Sequence, residues 1–194
     1  LLGAALLWFG WFGFNAGSAL EANELAIHAF MTTNTSAAAA MLSWMLIEKI
    51  KTGKPSLVGA STGLVIGLVA ITPGAGFVPI WASIIIGALI SPICYFFISF
   101  VKPKFGYDDA LDVFGCHAMG GIWGGIATGL FTQRAINPAA QWNGLVFGET
   151  KLFVAQLEAV GITIAIAVAG TFIVYGLTNL CTKGVKVSKK DEDL

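Results

Sequence analysis

The stretch DDALDVFGCHAMGGIWGG, residues 108–125, sets Asp109, Asp112 and His117 inside an otherwise apolar segment. Ionisable side chains at or near bilayer depth are expensive and point to function by default. In a soluble protein the plain reading of His117 is a core histidine satisfied by one hydrogen bond. The glycines beside it argue otherwise. Gly120, Gly121 and Gly124 follow His117 at helical spacing, which strips its own face of side chains. Such a face either admits a neighbouring helix closely or leaves a narrow lumen.

Composition assigns the class. The 194 residues are 56% hydrophobic and 11% charged, with a mean hydropathy of +0.80. A soluble domain carries about 25% charged residues, so this surface is not one that water covers. Net charge is zero and no basic block interleaves with aromatics, so nucleic-acid binding has nothing to rest on. Cys94, Cys116 and Cys181 are scattered, and the first two read as small buried hydrophobes. The adjacent Cys116–His117 pair suits no helical metal site, and no metal or cofactor is expected. No nucleophile–base pair appears, so the chain does not read as an enzyme.

Six apolar stretches follow, roughly 1–19, 27–47, 57–76, 78–101, 110–132 and 152–180. Each is near the length of about 20 residues that crosses a bilayer. The expectation is an all-α polytopic membrane protein with six transmembrane helices over 1–180 and the start of a tail over 181–194. The second stretch is the least apolar, because Thr32, Thr33, Asn34, Thr35 and Ser36 lie in it. Such residues serve as interhelical hydrogen-bonding glue. The chain opens inside an apolar helix without a charged leader, so it reads as the continuation of a longer one.

With six spans, alternate loops fall on opposite sides. Lys49, Lys51, Lys54, Lys102, Lys104, Lys183, Lys186, Lys189 and Lys190 then share one side, and only Arg134 and Lys151 take the other. This asymmetry makes the first side, and the C-terminus, cytoplasmic. Gly59, Gly63 and Gly67 mark a close-approach face on the third helix, as do Gly121, Gly125 and Gly129 on the fifth. On the first helix Trp11, Phe14 and Ser18 share a face, with Asn15 beside them. An aromatic face with a hydroxyl near the outer end suits a small cation.

WFGFNAGSA (11–19), GKPSLVGASTGLVIGLVAITP (53–73) and DDALDVFGCHAMGGIWGG (108–125) resemble the ammonium transporter family, which includes the Mep and Rhesus proteins. The resemblance runs over essentially the whole chain. It implies the second half of an eleven-helix fold with inverted repeats, assembled as a homotrimer with a pore in each subunit. By resemblance, His117 matches the second of two pore histidines, Phe14 a gating phenylalanine and Ser18 the hydroxyl of an outer ammonium site. Trp11 matches a pore-lining aromatic. Asn15, Asp109 and Asp112 are expected to be structural near the pore.

The implied function is passage of ammonium, deprotonated to ammonia, across the cell membrane through an apolar lumen lined by histidine. Two alternatives stay open: a membrane ammonium sensor that signals through the tail, and a Rhesus-type gas channel. The expected partners are ammonium or ammonia, the lipid bilayer, two further copies of the chain, and a PII-type signal protein at the cytoplasmic face. His28 reads as incidental, and Glu158 as a packing or trimer-contact residue.

Overall fold

A computed structural model describes residues 1–182, 184 and 185. Most of the tail expected over 181–194 lies outside the described residues, including Lys183, Lys186, Lys189 and Lys190. The described chain is helical with no strand, and it forms two units, Leu1–Leu157 and Glu158 onward.

Local chemistry places the helix ends. Helix α1 (Leu2–Ala16) tightens into a 3₁₀ turn at Gly17–Ala19. Helix α2 (Glu24–Thr52) starts where the Asn23 side chain accepts the Ala26 N–H at 3.0 Å, and stops at Gly53, whose φ of 85° only glycine adopts freely. It is therefore longer than the 27–47 stretch. In α3 (Leu57–Ile71) the Ser56 hydroxyl caps the Gly59 N–H at 2.8 Å, and Thr72-Pro73 ends the helix. Helix α4 (Ile80–Phe96) passes through a π turn (Phe97–Val101) into α5 (Lys102–Phe105). A second π turn (Phe114–Ala118) opens α6 (Met119–Phe131), and α7 (Lys151–Thr182) comes last. Because α4, the π turn and α5 are continuous, the six expected spans match six helical stretches.

Glycine decides how the first unit packs. A Cβ at Gly63 would stand 2.6 Å from the Trp44 Cβ, and one at Gly67 would stand 2.6 Å from the Ala40 Cβ. A Cβ at Gly59 would run into the Glu48 carboxyl. The glycine face of α3 thus seats on α2 at near backbone contact. Gly87 of α4 meets α2 at Ser36 in the same way. The polar residues of α2 supply the glue: the Ser36 hydroxyl donates to the Gly67 carbonyl at 2.9 Å, and Thr35 bonds Ser83. Thr32, Thr33 and Ser36 are fully buried. The apolar core beside them includes Ile66, Ile71, Val78, Ile86 and Ile90.

The two ends of this unit differ in charge. Leu57, Val58, Leu111 and Asp112 line one cleft, and Lys102 pairs with Asp112. That end accordingly gathers Lys49, Lys51, Lys54, Lys102 and Lys104. At the opposite end Arg134 adjoins Asn143 and Lys151 stands over the Trp142 ring. In the second unit, α7 continues as a helix with no buried residue, exposing Ile162, Ile166, Phe172 and Leu180 among others. A helix apolar all round is suited to a bilayer.

Candidate functional site

Asp109 and Asp112 build the entry to the His117 segment. The Asp109 carboxylate accepts the Val113 and Phe114 N–H groups, each at 2.9 Å, and so caps the π turn. Asp112 sits in the left-handed region at φ 54°. Its carboxylate pairs with Lys102 at 2.7 Å, and the same ammonium donates to the Asp109 carbonyl at 2.6 Å. Both aspartates therefore precede the helix. The 110–132 stretch placed Asp112 within it. The reason is chemical: short carboxylates satisfy free N–H groups at a helix start better than they tolerate its interior.

His117 lies in the π turn Phe114–Ala118, a geometry that inserts one extra residue and re-aims the side chains around it. Its imidazole is exposed and lines a cleft of about 340 Å³ with Leu7, Ser61, Thr62, Val65, Asp112 and Cys116. Among the described residues no hydrogen bond reaches the ring. The glycines that follow divide in role. A Cβ at Gly120 would stand 2.9 Å from Val69, and one at Gly124 would stand 2.5 Å from the Ala70 carbonyl oxygen. Gly121 has nothing within 4 Å. The first two admit α3; the third leaves open space.

On α1, the Trp11 and Phe14 rings meet edge to face, with centroids 5.8 Å apart. The Ser18 hydroxyl donates to the Phe14 carbonyl at 2.7 Å, so its lone pairs are what it offers to anything else. Asn15 is buried and donates to the Thr33 hydroxyl at 3.0 Å, tying α1 to α2. Trp11 donates its indole N–H to the Thr72 hydroxyl at 2.7 Å. A groove of about 410 Å³ runs past Leu6, Leu7, Gly10, Trp11 and Phe14. Leu7 walls both this groove and the His117 cleft.

Sequence reading missed Thr72, whose partner Trp11 lies 61 residues away and leaves no periodic signal, and Lys102, whose tie to Asp112 closes across a turn between two helical segments. His28 is a half-buried tie, its Nε2 being 2.8 Å from the Val78 carbonyl oxygen. Cys94 and Cys116 are buried. Glu158 is exposed within the second unit. Among the described residues no three His, Cys, Asp or Glu side chains converge on a metal site.

The sequence profile of the Ammonium Transporter Family matches residues 1–194. The chain belongs to that family. An ammonium transporter of Bacillus subtilis is 47% identical over 193 residues, covering 100% of this chain and 47% of its own length. One from Aquifex aeolicus is 48% identical over 191 residues, covering 98% of this chain and 44% of its own length. The crystal structure of Saccharomyces cerevisiae Mep2 aligns with a TM-score of 0.86 at 36% identity, over 92% of this chain and 43% of that one. The chain thus spans about half the length of the curated relatives it matches. As a member of the ammonium transporter family it is an all-α, membrane-embedded chain, and its six helical stretches fit part of that fold.

Proposed function

We propose that the protein moves ammonium across the cell membrane, and that the groove on α1 and the His117 cleft form one wall of its pore. The observation that carries this reading is the sharing of Leu7, which strings Phe14, Trp11 and His117 along one apolar path. Ammonium entering such a path as an ion loses its hydration at a cost of several kcal/mol or more. Ammonia is neutral and small, so an apolar lumen admits it far more readily. Potassium has no proton to shed and is turned away.

Each residue then has a part. The faces of Phe14 and Trp11 and the lone pairs of Ser18 hold ammonium at the outer end. Phe14 gates the path. His117, with two ring nitrogens that can donate and accept, receives or relays a proton and hydrogen-bonds the passing ammonia. Asn15, Asp109 and Asp112 hold the frame. The lysine-bearing end faces the cytoplasm, in keeping with the positive-inside rule. A homotrimer, and a PII-type protein at the cytoplasmic face, belong to the same proposal.

The test replaces His117 in the full-length protein. His117→Glu keeps a titratable group but places a potential anion in the lumen, so discrimination against potassium should weaken. His117→Ala should lower flux or change selectivity with little loss of folded protein. Ammonium and potassium currents read both. Unchanged flux and selectivity in the two variants would sink the proposal.

A further inference from the structure

We propose that Thr72 is a positioning residue of the pore, fixing the Trp11 indole and through it the Phe14 ring; this rests on the reading of Trp11 and Phe14 as pore residues. The direction of the hydrogen bonds is forced by what each group owns. Thr72 has one hydroxyl proton and gives it to the Leu68 carbonyl at 2.7 Å. What remains are lone pairs, and the single indole N–H of Trp11 fills one at 2.7 Å. The indole is thus held by a hydroxyl that is itself held, and its plane meets the Phe14 ring at 67°.

The anchor is firm on its other side. Thr72 follows the last residue of α3, its N–H bonded to the Val69 carbonyl at 3.2 Å, and Pro73 comes next. Gly124 brings α6 against this corner: a Cβ there would stand 2.5 Å from the Ala70 carbonyl oxygen and 3.0 Å from Pro73. The helix that carries His117 and the helix that carries Trp11 and Phe14 are therefore both registered on the end of α3. Without the hydroxyl, the indole N–H is left without an acceptor at the edge of an apolar cluster formed with Leu64, Leu68 and Trp8. The ring turns to find another partner and loses its angle to Phe14.

The experiment uses the full-length protein with 5-fluorotryptophan incorporated, the Trp11 resonance being assigned with Trp11→Phe. Thr72→Val keeps the shape and removes the acceptor; Thr72→Ala serves if the valine variant is not produced; Thr72→Ser keeps the hydroxyl. We expect Thr72→Val to shift the Trp11 resonance and to lower ammonium uptake per folded molecule roughly fivefold to tenfold, the scale of one lost hydrogen bond. Thr72→Ser should restore both. In a Trp11→Phe background Thr72→Val should have little further effect, because the bond is already gone. If Thr72→Val leaves uptake unchanged while Trp11→Phe or Phe14→Ala alters it, Thr72 is not a positioning residue. If all of these leave uptake and selectivity unchanged, the pore reading of Trp11 and Phe14 falls first, and this inference with it. A loss of uptake that Thr72→Ser does not restore, or that arrives with an unmoved Trp11 resonance, also overturns it.

Discussion

The Ser43 hydroxyl on α2 donates to the Ala88 carbonyl on α4 at 2.8 Å. In a regular helix that carbonyl would receive the N–H of residue 92, which is Pro92 and has none. Another helix thus supplies the donor that the proline removes, as an apolar interior requires. Ser43→Ala should cost about 1–2 kcal/mol by leaving the carbonyl unsatisfied. The cost should shrink in a Pro92→Ala background, where the backbone donor returns. Thermal unfolding in detergent measures all three variants, and an equal loss in both backgrounds would refute the pairing.

The glycines after His117 should respond unequally to one added methyl group. Gly124→Ala pushes against the Ala70 carbonyl and Pro73, neither of which can yield cheaply, so folded protein should drop sharply. Gly121→Ala meets nothing within 4 Å and should fold normally. Size-exclusion yield in detergent separates them, and the reverse order would show that α6 is turned the other way.

The two aspartates should also differ. Asp109→Ala removes the acceptor of two backbone N–H groups and should cost about 1–2 kcal/mol. Asp112→Gly loses a partly exposed ion pair worth about 0–1 kcal/mol, but it relaxes a left-handed backbone that glycine prefers. Its net change should be within about 0.5 kcal/mol. Chemical denaturation followed by tryptophan emission would test the ranking.

Phe14 is 64% exposed, so Phe14→Ala empties little of the interior. Expression and melting temperature should hold, while transport selectivity or rate changes as the path widens. Loss of folded protein with unaltered transport among the survivors would return Phe14 to a packing role.

The helices were legible because apolar runs of bilayer length leave few alternatives. Gly59, Gly63 and Gly67 announced a close-approach face, but their spacing does not name the partner; that came only from the fit against Ala40 and Trp44. Helix α2 outran its apolar stretch because the Asn23 cap and the Gly53 stop lie beyond it. The π turns at Phe97–Val101 and Phe114–Ala118 left no mark, since they arise where two segments meet: Phe97 and Phe114 stand 6.0 Å apart and Gly115 opposes Ile98. Trp11, Phe14 and Ser18 could be grouped by helical spacing. Thr72 could not, since its tie to Trp11 is made between helices.

The burial of Thr32, Thr33 and Ser36 bears on how the chain is made. Alone in lipid, α2 would turn those hydroxyls toward hydrocarbon, Thr32 and Thr33 keeping bonds to its own backbone carbonyls and Ser36 losing its acceptor on α3. Asn15 of α1, which meets Thr33, is made before α2, but the Gly67 carbonyl that takes the Ser36 proton and the Ser83 hydroxyl that meets the neighbouring Thr35 emerge from the ribosome later, on α3 and α4. Stable lodging of α2 in the membrane therefore waits on the synthesis of its successors, and the short link from Gly53 to Ser56 lets α2 and α3 enter together as a hairpin.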